Sequence, residues 1–378
     1  MGIAAFLSME ASLRDSPRTP GEMSSEKDSS DTPSPDPTAN EPGDILTVDP
    51  IICSVPDPSP MCCGCCVPHA WTTPKETPAL VAEHERQGRR IALKDGSSVF
   101  VRDETPQDSV KMTVVMVHGV PASSFLYRKF FAPLVAEGYR AIAFDLPGLG
   151  LSDKPLDRDY SWPAMAETLH EIMGHEDLAI NTKIHMVIHD IGGPISALYA
   201  ADHPERVESI TALDTLLDIA SFSPPFPMFF FPIPIIGNIA IASMTPWVLR
   251  QFMYLRGVAD TEACDHEEAM AWVFLLKRQK GAASFSKIMK SFPSGKSKKQ
   301  ELTNKIQQAL GTEQQLPMQV IWAQGEVAIP QSQCEYIREK FHVTGDTQHV
   351  PGRHFFQLES AETIVQHIHQ FLQERQQQ

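Results

Sequence analysis

The stretch Val187-Ile188-His189-Asp190-Ile191-Gly192-Gly193 constrains this chain more than any other. An apolar run ends at a carboxylate, and a glycine pair opens what reads as a helix. This is the layout of a nucleophile elbow, a strand-to-helix turn that lifts one side chain above the carboxyl edge of a sheet. Serine usually occupies the apex; aspartate does here. A carboxylate needs no base to become nucleophilic, and it attacks carbon directly to leave an alkyl ester on the chain. The expected chemistry therefore shifts from acyl transfer towards displacement at a saturated carbon.

Upstream, Met112 to Val117 is a short apolar, β-branched run followed by His118-Gly119-Val120-Pro121. A strand ending this way brings the backbone N–H of Val120 to the head of the elbow, where the N–H of Ile191 is the second donor. Two such donors aimed at developing negative charge form an oxyanion hole. Ala141 to Phe144 is another apolar run, ending at Asp145 and a glycine-rich turn that contains Gly148 and Gly150. Strand, turn and helix alternate as a parallel sheet requires.

Downstream, Pro351-Gly352-Arg353-His354 places a histidine after a glycine turn and ahead of an amphipathic terminal helix, Ala361 to Phe371. Of the 14 histidines, His354 stands out because it comes last in the order nucleophile, acid, histidine. Its role would be to activate water against the ester. Two acids compete to orient it. Glu326 follows the strand-like Val320-Ile321-Trp322 and precedes His354 by 28 residues, whereas Asp214 ends the run Ile210-Thr211-Ala212-Leu213. Glu326 is favoured and Asp214 is the alternative.

Taken together, His118-Gly119-Val120-Pro121, Ser124 to Lys129, Leu151 to Pro155, His189 to Gly193 and His354 to Glu359 resemble the α/β-hydrolases, specifically the haloalkane dehalogenase and epoxide hydrolase branch with an aspartate nucleophile. The resemblance runs from about residue 88 to the C-terminus. It implies an α/β fold, a mostly parallel sheet flanked by helices, with an inserted helical cap. The departures bear on substrate. Haloalkane dehalogenases typically carry tryptophan after the nucleophile and many carry asparagine after the His-Gly pair; here these positions are Ile191 and Val120. Losing one such donor typically costs ~2.7–4 kcal/mol of transition-state stabilisation, which leaves backbone N–H groups and an indole from the cap, Trp247 or Trp272, to hold a halide. Epoxide hydrolases typically protonate the opening ring with two cap tyrosines, and between Leu216 and Leu316 the chain has only Tyr254. The expected substrate is small, neutral and fairly hydrophobic, acting with water and no cofactor or metal.

The residues between 215 and 315 interrupt the strand–helix rhythm and are expected to form the cap, with the core at 81–214 and 316–378. No charge occurs between Asp218 and Arg250, a length that invites a membrane span. Pro224, Pro225, Pro227, Pro232 and Pro234 argue against one, since each removes a backbone donor. Phe226, Met228, Phe229, Phe230 and Phe231 are expected at the pocket or its mouth. Lys287, Lys290, Lys296, Lys298 and Lys299 read as a solvated loop or helix face. In a chain of net charge −15, they do not argue for nucleic acid.

The first 80 residues differ in kind, with 13 of the 31 prolines and 12 acidic against 4 basic residues. Such composition does not bury enough apolar surface to order itself. It has the marks of neither a secretory signal nor a transit peptide, and a cytoplasmic chain is expected. Cys62, Cys63, Cys65 and Cys66 form an island in it; clustered cysteines can be S-acylated, which would tether the chain to a membrane, the alternatives being a metal site or no specific role. The rival to a hydrolase is a non-catalytic small-molecule binding protein on the same scaffold, motivated by the missing leaving-group donors.

Overall fold

The computed structural model describes residues 74, 76–225 and 228–377. Of the segment 1–80 expected to be disordered, residues 1–73 and 75, with the cysteine island, lie outside them, as do Phe226 and Pro227; Ala79 and Leu80, by contrast, open helix α1 (Ala79–Arg86).

The sheet has eight strands: β1 (Gly88–Ala92), β2 (Ser98–Glu104), β3 (Met112–Val117), β4 (Tyr139–Phe144), β5 (Ile184–Asp190), β6 (Val207–Thr215), β7 (Met318–Ala323) and β8 (Gln348–Val350). Their order across the sheet is β1-β2-β4-β3-β5-β6-β7-β8. The pairings that join β1 to β2 and β2 to β4 are antiparallel, and the remaining ones are parallel. This is the mostly parallel α/β sheet that the sequence pattern predicts.

The parallel strands read as continuous apolar runs because both of their faces are buried. Val115 and Val117 of β3, with Met186 and Ile188 of β5, enter one core. They meet Leu169 of helix α3 (Trp162–Met173) and Ile195 of α4 (Gly192–Asp202) there. Val114, Met116 and Val187 point the other way, towards Leu134 of α2 (Phe131–Ala136) and Ile368 of α11 (Ala361–Gln376), the helix that follows α10 (Gln331–Lys340). The chain leaves β3 towards β4 on one side and later returns to β5 on the other. Such a reversal opens a crevice at the carboxyl ends of the two strands, where ligands of open α/β sheets bind.

Between β6 and β7 the chain forms α5 (Pro234–Ala242), α6 (Pro246–Phe252), a π-helical turn at Met253–Gly257, α7 (His266–Lys277), α8 (Gly281–Lys290) and α9 (Lys296–Ile306). The uncharged stretch is thus broken into short pieces. Pro234 and Pro246 sit in first turns, where a missing N–H costs nothing. No helix among the described residues is long and apolar enough to cross a membrane.

Candidate active site

Strand β5 ends at Asp190, whose φ of 51° lies in the left-handed region. A non-glycine residue held there costs about 1–3 kcal/mol, and it persists only where its surroundings fix it. Thr215, its register partner at the end of β6, does so by donating its hydroxyl to Asp190 O at 2.6 Å. Gly192 then lets α4 start against β3: a Cβ there would lie 2.5 Å from Val117 O and 2.7 Å from His118 O.

The turn after β3 is pinned by His118, which is fully buried. Its Nδ1–H donates to Gly119 O at 2.8 Å and its Nε2 accepts the Leu146 N–H at 2.9 Å. Burial, more than the nearby carboxylates can offset, keeps its pKa low, so the ring is neutral. The turn delivers the Val120 N–H to Asp190 Oδ1 at 2.9 Å. Gly119 is needed for this approach, because a Cβ there would run into the Asp190 carboxyl. The Val120 donor therefore points at the oxygen of Asp190 itself.

His354 faces Asp190 from the loop after β8. Its Nε2 is 3.6 Å from Asp190 Oδ2 and its Nδ1 is 2.9 Å from Glu326 Oε2. The ring is 5% exposed. His189 donates Nε2–H to the carbonyl of His354 at 2.8 Å, and burial takes the His189 pKa down to about 3, so this second imidazole is neutral. Burial also works against a charged His354, but the charge of Glu326, the nearby carboxylate of Asp190 and the hydrogen bond to Glu326 outweigh it and raise its pKa well above the ordinary value. For Asp190, burial works upwards and is overcome by the adjacent His354, then by His189 and the Ile191 N–H; its pKa is lowered.

The structure places both candidate acids beside His354. Glu326 Oε1 accepts the N–H groups of Ala328 and, at 2.8 Å, Ile329, leaving Oε2 for the ring. Asp214 stands behind it, its Oδ1 accepting the Ala323 N–H at 2.9 Å. Burial and the Glu326 charge raise the Asp214 pKa well above the usual range. Glu326 resists burial through His354 and Asp214, and its pKa falls to about 2. Of the two, Glu326 carries the charge and Asp214 the proton. Atoms of Asp214, Glu326 and His354 lie within 4.8 Å of one another. Glu326 Oε2 meets one ring nitrogen of His354 and Asp190 faces the other.

Above these residues lies a cavity of about 570 Å³, counting its open mouth. Val120, Ile191 and Phe355 form its floor beside Asp190 and His354. Phe222, Pro224, Pro225 and Met228 line it from the segment after β6, with Phe252 and Met289 from later helices, Phe292 from the turn after α8, and Ala328 and Ile329 from the Glu326 loop. Arg256, on the π-helical turn, is the one lysine or arginine that lines it among the described residues. Sequence reasoning missed Arg256; nothing in its local pattern separates it from a solvated cap charge.

Tyr254, Trp247, Trp272 and Phe230, expected to bind substrate, are not among the lining residues. Tyr254 Oη accepts from Arg250 Nε at 2.8 Å and donates to Cys264 O at 3.3 Å. Trp272 gives its indole N–H to Glu268 at 2.9 Å and meets the edge of Phe355, so it stands one shell behind the floor. Phe230 packs on Phe229. The cap is nevertheless fastened to the His354 loop: Arg353 donates to the carbonyls of Tyr254 and, at 3.0 Å, Leu255, and Phe355 N–H donates to Gly257 O at 2.8 Å.

A family model for the α/β-hydrolase fold matches residues 113–238. A haloalkane dehalogenase of Psychrobacter cryohalolentis is 37% identical over 120 residues, which are 32% of this chain and 38% of that protein. A cis-3-alkyl-4-alkyloxetan-2-one decarboxylase of Shewanella oneidensis is 39% identical over 104 residues, 27% of this chain and 32% of that protein. The chain thus spans about a third of the length of these curated relatives. The solved structure of the epoxide hydrolase CorEH superposes with a TM-score of 0.60 at 20% identity, over 76% of this chain and 98% of that one. The chain has the α/β-hydrolase fold, which it shares with the epoxide hydrolase structure, and over about a third of its length its sequence is similar to that family's model and to haloalkane dehalogenases.

Proposed function

We propose that the chain is a hydrolase of small, neutral, apolar electrophiles, acting through an alkyl ester on Asp190. The observation that carries this reading is the position of His354, 3.6 Å from Asp190 Oδ2 and 2.9 Å from Glu326. In the first step Asp190 Oδ2 forms a bond to a saturated carbon, and the leaving group departs with its electron pair. Esterification removes the charge of Asp190, one of the two anions that keep His354 protonated. The ring can then lose its proton and serve as the base.

In the second step His354 Nε2 takes a proton from water, and the hydroxide attacks Cγ of the ester. The carbonyl oxygen becomes an oxyanion. The Val120 N–H already contacts Oδ1 at 2.9 Å, so this donor acts on ester hydrolysis rather than on the leaving group. Collapse of the intermediate restores the Asp190 carboxylate and releases an alcohol.

One feature favours a narrower, second reading. Arg256 brings a permanent cation into a cavity otherwise lined mainly by apolar side chains, and the Shewanella relative is named for an oxetan-2-one. Attack of Asp190 on the saturated ring carbon of such a strained lactone breaks its C–O bond and leaves a carboxylate. That leaving group needs no proton and suits a guanidinium.

Intact-mass measurement of His354→Phe with haloalkanes, epoxides and oxetan-2-ones tests both readings. The ester should accumulate on Asp190 and disappear in the Asp190→Ala double variant, and its mass names the substrate class. A folded variant that gains no mass on any of the three would contradict the proposal and favour a binding protein.

A further inference from the structure

Eight large apolar side chains are exposed among the described residues, and five of them fall between Phe229 and Ile239. Ile235 is 74% exposed and Ile239 63%; one turn apart on α5, they share a face. The other side of α5 is committed to the fold. Gly237 packs so closely that a Cβ would run into Phe231 O, and Ile241 is buried. Phe231 in turn meets the edge of Phe285 on α8, and Ser286 donates to its carbonyl at 2.8 Å. Folding therefore accounts for the inner residues of this segment and leaves the outer isoleucines unexplained. Scattered exposed apolar residues are ordinary, but a contiguous patch marks an interaction site.

Two observations identify the occupant. The patch continues directly from Met228, which lines the Asp190 cavity, so whatever covers it meets the mouth of that cavity. The second is charge. From Ala269 to Gln300 the chain carries eight lysines and arginines and no acidic residue, although its net charge is −15. Lys277 Nζ caps the C-terminal end of α5 through Ala242 O at 2.6 Å, and Lys299 Nζ bonds Phe222 O at 2.6 Å at the cavity wall. An apolar face flanked by cations complements an anionic lipid surface. A second copy fits less well, because a two-fold contact through this face would bring both sets of lysines together.

We propose that the Phe229–Ile239 face docks on an anionic bilayer, lying on it rather than crossing it, with the cavity mouth at the interface. Docking requires no turnover; entry of an apolar substrate from the bilayer rests on the function proposed above. The two can therefore fail separately.

Flotation of the full chain with phosphatidylcholine vesicles, and with vesicles containing phosphatidylglycerol in equal amount, tests the docking. The chain should float with the anionic vesicles and less so as salt shortens the reach of the lysines. Ile235→Glu with Ile239→Glu should weaken partitioning about tenfold or more, since both charges would have to leave water. Ile235→Trp should strengthen it, because tryptophan favours the interface. Unchanged thermal melting of the exposed-site variants keeps the comparison on folded protein. Absence of flotation, or flotation equal in the glutamate variant, would overturn the proposal. So would self-association that the glutamate variant abolishes while vesicles bind neither form, which would assign the face to a second copy.

Discussion

Asp214 stands behind Glu326 as a buried carboxyl with one oxygen on the Ala323 N–H and the other, Oδ2, with no partner among the described residues other than Glu326 itself. Two adjacent buried carboxyls cannot both ionise cheaply. Because His354 sits against Glu326, the charge stays there and the proton belongs to Asp214.

Asp214→Asn replaces the protonated carboxyl with an amide that can still accept from Ala323 and donate to Glu326. Its steady-state rate should stay within about threefold of the parent, because the charge beside His354 is kept. Glu326→Gln removes that charge and should slow hydrolysis of the ester about a thousandfold, within the range of acid–base effects. Rapid-quench separation of the two half-reactions would show the loss in hydrolysis, with ester formation spared.

The pH dependence should also separate the two steps. Ester hydrolysis needs neutral His354, so its rate should rise with pH and level off above the imidazolium pKa of the ester form. Glu326 raises that pKa; removing its charge should move the limb to lower pH. Ester formation should lack this limb. The measurement is single-turnover mass analysis at a series of pH values.

The same pair sets a window of stability. The Glu326 pKa falls from 4.5 to about 2 on folding, so its contribution is present above 4.5 and is lost as pH falls towards 2. The His354 pKa is raised above 6.5, so its contribution is present below 6.5 and is lost as pH climbs through the raised value. Thermal melting of the parent should therefore show its largest advantage over a Glu326→Gln, His354→Phe double variant between about 4.5 and 6.5.

At the elbow, Gly192→Ala forces a Cβ against two backbone carbonyls that have no side chain to move aside. It should cost about 1–3 kcal/mol of stability, as overpacking does. Thr215→Val removes the hydroxyl that holds Asp190 O and should cost about 0.5–1.5 kcal/mol. Denaturant unfolding reads both.

Arg256→Gln distinguishes the two substrate readings. It should lower turnover of an oxetan-2-one, whose departing carboxylate the guanidinium would bind, by about tenfold or more, while a haloalkane is affected less. Equal losses on both would mean that Arg256 shapes the cap rather than receives a carboxylate.

What the sequence made legible was local. Strand β5, the Gly192-Gly193 pair and His118-Gly119 are short signals whose geometry follows from a few consecutive residues. Glu326 could be favoured over Asp214 from sequence, but the meeting of both carboxyls at the histidine could not be read there; the pairing of β6 with β7 brings the ends of both strands to one place. The cap was less legible. Trp272 and Tyr254 were expected at the pocket for their chemistry, yet Glu268, Arg250 and Cys264 hold their polar atoms elsewhere. Arg256 reaches the pocket from a π-helical turn, a local widening that ordinary helical periodicity does not reveal.

The central claim is that water attacks the carboxyl carbon of Asp190 and not the substrate. A single turnover in heavy-oxygen water, followed by digestion and mass analysis of the peptide containing Asp190, tests it directly. The account predicts that the label appears in Asp190 and that the first alcohol released carries oxygen from the protein. Label found only in the product, with an unlabelled Asp190 peptide, would contradict it.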